Sequence, residues 1–414
     1  MKLRVVKRMP AKKLLAACVL AVAMTSCQLQ PVSASSHEVG QQEMNIKERI
    51  DTILNKASTR PASMGSEVWG KEPCVMHELP TESRDEGGTL LFSDSPEYVK
   101  QDGVLYRDTV AGDARVFYYH LNNTDVPKKL AVVLRNKYDG VNIVKVTRGG
   151  SGAPSKDYLF VGKTVQLDYF AASMDETLVL TRDGRRLLQD SMAEVVLKPD
   201  ELVAGMYDFQ ALHPVEVSVL MVGEDADPLQ AAYELPILPK DEMRLRGTFT
   251  GMNRQLTVTK RYDPAKDGVM YFRVADDERD KFRDGIDATD GSKVSNEGNY
   301  GVVYRIHIPI KGNQPVQYFL SPLGGVYAGA IRAVTETAEQ KLLPVPAKAP
   351  FFGAAILEIS KELLSRLAPG DDILVKRTEL SDLGIYPGGR SVWFYYSPPG
   401  ASNLPVNIIV KPAP

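Results

Sequence analysis

The chain predicts a mainly β protein, two antiparallel β-sandwich domains with a short N-terminal amphipathic helix and one helix in the C-terminal domain. Three observations carry this. Tyr300, Val302, Tyr304, Ile306, Ile308 and Ile310 alternate with mixed residues, so one face of an extended segment is apolar. DARVFYYHL, KLAVVLRN, VEVSVLMV, QLTVTKRY, SVWFYYS and PVNIIVK share that habit and are rich in Val, Ile, Tyr and Phe. Asp-Gly pairs begin at Asp102, Asp139, Asp183, Asp267, Asp284 and Asp290, between or beside such runs, and this dipeptide suits the positive φ angles of tight hairpins.

In chain order, the first 26 residues hold Lys2, Arg4, Lys7, Arg8, Lys12 and Lys13 and no acid. The apolar stretch 14–24 that follows is too short to span a bilayer as a helix, so residues 1–26 are read as an export signal. Met24-Thr25-Ser26-Cys27 looks like a bacterial lipobox, although Met24 stands where Leu is usual. Cleavage there would leave Cys27 lipidated, and several acyl chains at about 0.8 kcal/mol per buried CH₂ make a stable anchor. Ordinary secretion with cleavage nearby is the alternative. Gln28 follows rather than Asp, which favours the outer membrane in a cell that has two.

Residues 27–80 are read as a tether, poor in groups to bury, that carries a helix at 45–58 with Ile46, Ile50, Ile53 and Leu54 on one stripe. Strand texture fills 81–239 and 240–414, and the Pro-rich, then charged, YELPILPKDE places the domain boundary near Pro239. The one later helix is expected at 355–367, where Ile356, Ile359, Leu363 and Leu367 form a stripe that Pro369-Gly370 ends. No fixed-period repeat suggests a solenoid or propeller.

Composition excludes some classes. Six of the 50 basic residues lie in the signal, so the rest carries 44 against 52 acidic residues, a net −8. With no long basic run, nucleic-acid binding has no electrostatic basis. Of three cysteines, Cys18 leaves with the signal and Cys27 takes lipid, so Cys74 has no intrachain partner and reads as a small apolar residue.

The segments 91–124 (LFSDSPEYVKQDGVLYRDTVAGDARVFYYHLNNT), 298–310 (GNYGVVYRIHIPI), 321–331 (SPLGGVYAGAI) and 397–410 (SPPGASNLPVNIIV) give a resemblance over roughly residues 90–410. They resemble an uncharacterised family of exported bacterial proteins, often fused to a stalk module labelled copper amine oxidase N-terminal domain. That module is absent here, so the resemblance implies placement at the envelope by lipid instead. It implies no site residues. Amine oxidation itself has no support: Asn299-Tyr300 is followed by Gly301, and His37, His77, His120, His213 and His307 are scattered.

In the acidic stretch 275–291, Asp284, Asp287 and Asp290 recur every third residue beside glycines, a candidate Ca²⁺ site set against a solvated acidic loop. The aromatic runs 117–119 and 393–396 are read as core or sheet cover, with sugar stacking the alternative. Gly-x-Ser-x-Gly, His-Glu-x-x-His, Cys-x-x-Cys and phosphate-loop patterns are absent from the sequence. The expected function is therefore a non-catalytic envelope lipoprotein that binds cell-wall polymer, glycan or a surface protein. An enzyme acting on envelope polysaccharide through unassigned carboxylates is the alternative.

Overall fold

Period-two alternation becomes three sheets. The computed structural model describes residues 74–414 apart from 172, 243–244, 324, 354–364, 366 and 375–379. The expected signal peptide, Cys27 and the helix at 45–58 lie outside the described residues, as does nearly all of the helix expected at 355–367. The described residues are mainly strand and belong to one compact unit.

The first sheet is built on two long strands, Gly103–Asn122 and Leu202–Gly223, antiparallel from Leu202↔Leu121 to Met221↔Gly103. Register shifts at Ala211/Val215 and Val219/Leu220 interrupt this pairing. The sheet encloses a core that includes Val116, Tyr118, Val132, Val146, Val217 and Val219. The second and third sheets have six strands each and share another core, in which Tyr304, Phe394 and Ile331 of one meet Phe272, Tyr318 and Ile408 of the other. Mainly β architecture with sandwich packing is thus the observed class.

The boundary expected near Pro239 does not separate two sheets. Arg246–Thr250 pairs with Thr89–Ser93, from Arg246↔Ser93 to Thr250↔Thr89. Thr81–Glu86 pairs with Asn253–Val258, and Cys74–Glu78, assigned to the tether by composition, pairs with Met270–Val274. Strands from before 239 therefore complete sheets made of residues after it. Among the described residues four strand pairings are parallel, including Asn253–Val258 with Val303–His307 and Thr89–Ser93 with Gly103–Asn122. Parallel partners require a crossover, which alternation along a single strand does not reveal.

Helix α1, Tyr158–Ala171, was not expected. Its Val, Thr, Tyr and Phe content suits a strand, yet Val161, Val165 and Tyr169 lie one turn apart and are buried. Asp157 Oδ1 accepts from Phe160 N at 3.1 Å and caps it. Gly162 lets the helix approach the main chain, since a Cβ there would stand 2.2 Å from the Gly400 carbonyl oxygen. A second, short helix, α2, spans Pro228–Glu234 and is capped by Asp227, whose side chain accepts from Leu229 N at 2.9 Å.

Candidate functional site

Register fixes which side chains of the second sheet stand together. Arg84, Gln255, Arg305, Tyr395 and Arg332 are partners on five successive strands, so they form one row on one face. Their chain neighbours Arg254, Tyr304, Phe394, Tyr396 and Ile331 point the other way and are buried. Strand alternation has put a polar row outside and a core inside.

Two arginines of that row lean from opposite flanks onto the strand between them, Val392–Tyr396. The Arg305 guanidinium carbon is 4.0 Å from the centroid of the Trp393 ring, and that of Arg332 is 4.4 Å from Tyr395. His307 stacks on Trp393 at 4.2 Å. Cation–π attraction orients both guanidinium planes and leaves their edges to be satisfied otherwise. Neither Arg305 nor Arg332 has an ion pair with a described carboxylate. Each Nε is buried with no hydrogen-bond partner among the described residues.

A cavity of about 170 Å³ opens on this face. Arg305, Arg332 and Tyr395 line one part of it, Glu86 and Asn253 another, and α1 contributes Tyr169 and Phe170. Glu86 and Asn253 are register partners on the two strands beyond Val303–His307. Arg148 and Asp208 reach the cavity from the first sheet. Burial, and then the neighbouring Arg148 cation, hold Arg332 below the usual guanidinium range.

The floor is already neutralised. Arg115, 1% exposed, donates from Nε to Asp208 Oδ1 at 2.6 Å and from Nη2 to Oδ2 at 2.9 Å. The Tyr169 hydroxyl donates to Asp208 Oδ2 at 2.7 Å. Burial alone would weaken the Arg115 cation, but Asp208 outweighs it and the group stays charged. Arg115 also donates to the Gly301 carbonyl and to Asn253 Oδ1, each at 3.0 Å, tying the floor to residues beyond 239.

The three aspartates considered for calcium are not brought together. Asp284 and Asp287 lie three apart on the strand Arg283–Asp287, so they face opposite ways, Asp284 exposed and Asp287 buried. Asp287 accepts from Arg246 Nε at 2.9 Å, and Lys240 lies 3.3 Å from Asp287 and 2.7 Å from Asp290. Against its burial, hydrogen bonds from Thr289 and then from Arg246 hold Asp287 below the usual carboxylate range. Among the described residues, no group of three His, Cys, Asp or Glu side chains could hold a metal. The Asp284-Gly285 pair is also not a turn: it lies within the strand, where a Cβ on Gly285 would stand 2.5 Å from the Phe249 ring.

Other singled-out residues separate by face. Phe117, Tyr118 and Tyr119 are core, as are Phe394 and Tyr396, whereas Trp393 and Tyr395 are half-buried and belong to the cavity face. His120 is buried, faces Ser93 Oγ from Nε2 at 2.8 Å and the Pro96 carbonyl from Nδ1 at 2.9 Å, and burial pulls it down to about 4. Cys74 is half-buried. Arg305 and Arg332 escaped sequence reasoning. Their signal is a single cation at an outward position of an alternating run, as in VVYRIHI and AIRAV.

No family model and no curated protein matches this sequence. Among solved structures, a xanthan lyase from Paenibacillus aligns at 7% identity and TM-score 0.17 over 83% of this chain and 26% of that one. PNGF-II aligns at 10% identity and TM-score 0.15 over 84% and 66%. YhaK from Escherichia coli aligns at 9% identity and TM-score 0.11 over 80% and 94%. The chain thus spans about a quarter of the xanthan lyase and just under two thirds of PNGF-II. At such scores the likeness supports no inference of function.

Proposed function

We propose that this chain is a non-catalytic binding lipoprotein of the bacterial cell envelope, anchored through Cys27, whose cavity face takes an anionic ligand of that envelope. One observation carries the binding reading: Arg305 and Arg332 lie on Trp393 and Tyr395 at a cavity mouth with no carboxylate partner among the described residues. Two guanidiniums held in place by rings offer oriented donors to a carboxylate or phosphate at little entropic cost. The signal segment and lipobox support the address, which is the outer membrane where a cell has two. The partner is then a cell-wall or envelope glycan, or another surface molecule bearing an anionic group.

The test is retention of purified residues 28–414 on isolated cell envelope, with released sugars assayed afterwards. Retention that salt weakens, with no sugar released, supports the proposal. Sustained release of sugar would overturn the non-catalytic reading, and no retention would overturn the binding reading.

A further inference from the structure

We propose that the cavity on the outward face of the second sheet recognises a phosphate monoester carried on a polyhydroxylated body, such as a sugar phosphate. This rests on the binding reading above and names the chemistry of its ligand.

The argument begins with spacing. Arg305 lies over Trp393 and Arg332 over Tyr395, and those rings are two residues apart on one strand. Same-face neighbours on a strand are roughly 7 Å apart, a gap that one tetrahedral anion bridges by accepting from a guanidinium on each side.

Charge then selects among anions. Arg115 and Asp208 cancel, so Arg305, Arg332 and Arg148 stand against Glu86 and the lining carries two positive charges in excess, with neither Arg305 nor Arg332 in an ion pair among the described residues. A carboxylate or a phosphodiester carries one negative charge and leaves one of the two excess positive charges unmatched. A phosphate monoester carries about −1.5 to −2 at pH 7 and matches that excess.

The other part of the cavity selects the body of the ligand. Glu86 and Asn253 stand side by side on adjacent strands, two and one strands from Val303–His307. Glu86 lies on the strand two steps from that of Arg305 and four from that of Arg332, and all three side chains line the same cavity. An acceptor carboxylate beside an amide is suited to hydroxyl groups, which donate to one and accept from the other. Phosphate at the arginines and hydroxyls toward Glu86 use both parts of the cavity.

Equilibrium titration of residues 28–414 with a hexose 6-phosphate, inorganic phosphate, glucuronate and a polyol phosphodiester tests this. The sugar phosphate should bind at least tenfold more tightly than glucuronate or the diester at pH 7.5. Its affinity should fall as the phosphate takes up its second proton near pH 6, while that of glucuronate stays flat over the same range. Arg305→Gln and Arg332→Gln should each lose tenfold or more with an unchanged melting temperature. Glu86→Gln should weaken the sugar phosphate and leave inorganic phosphate as it was. Glucuronate or the diester binding as tightly, or a flat pH profile for the monoester, would overturn the monoester assignment while the binding reading stood. Equal affinity for inorganic phosphate and the sugar phosphate would overturn the role of Glu86. No binding of any anion, together with no retention on envelope, would overturn both readings.

Discussion

Replacing Arg115 by Met removes a buried cation while keeping much of its apolar volume. The guanidinium makes two bonds to Asp208 and one each to Tyr169, Asn253, Gly301 and Met252 at 2.5–3.0 Å, and its side chain is 2% exposed. Among the described residues, Asp208, 14% exposed, would keep only the Tyr169 hydroxyl as a side-chain donor. Breaking a buried pair from one side costs about 3–5 kcal/mol, because the remaining charge is left without its partner. At roughly 2–4 °C per kcal/mol for a domain of this order of size, the melting temperature of Arg115→Met should fall by about 10 °C. The double variant Arg115→Met/Asp208→Leu should lose less than the sum of the single changes, with a coupling of about 1–3 kcal/mol. Arg115 also joins residues on both sides of 239, so wild-type protein should unfold in one transition whether followed near Trp393 or by overall β signal. A cost for Arg115→Met below about 1 kcal/mol, or two separate wild-type transitions, would refute the reasoning.

Three further outcomes follow from other parts of the molecule. Burial, and then Asp241, push Glu97 up to about 7 from an ordinary 4.5, so its contribution is intact below about pH 4.5 and is lost as pH rises through 7, by about 3 kcal/mol. His120, pulled down to about 4, acts in the opposite sense over pH 4–6.5, so the measurable quantity is the difference from Glu97→Gln. That variant should gain on wild type between pH 5 and 8 in denaturant titrations, and parallel curves would contradict the assignment. Gly162→Ala should destabilise by a few kcal/mol, since a Cβ would meet the Gly400 carbonyl oxygen at 2.2 Å; an unchanged denaturation midpoint would mean that α1 does not approach so closely. Millimolar calcium should leave the melting temperature unchanged, because Asp287 and Asp290 are already held by Arg246 and Lys240; a clear upward shift, abolished in Asp287→Asn, would reverse that.

Strand existence was legible because alternation is a local property: 300–310 contains the strand Val303–His307, with Tyr304 and Ile306 inward and Arg305 outward. Pairing was not, since Arg246–Thr250 joins Thr89–Ser93 across most of the first half of the chain, and proline and charge near 239 mark a connection rather than a seam. Helix α1 was hidden by β-branched and aromatic residues whose helical spacing is visible only at Val161, Val165 and Tyr169. A repeat of three in Asp284, Asp287 and Asp290 suggested convergence, but on the strand the odd offset turns Asp284 away from Asp287, and Lys240 lies between Asp287 and Asp290. Trp393 and Tyr395 were visible as rings, and Arg305 and Arg332 as isolated cations. Only register brings the four onto one surface, where the Nε of each cation has no hydrogen-bond partner among the described residues.

The most direct test of the central claim is binding of residues 28–414 to isolated envelope across a salt series, wild type against Arg305→Gln/Arg332→Gln. If this face holds an anionic envelope ligand, the double variant should keep its melting temperature, lose tenfold or more in affinity at low salt, and show a shallower dependence on salt. A folded double variant that binds envelope as tightly as wild type, with the same salt dependence, would contradict it.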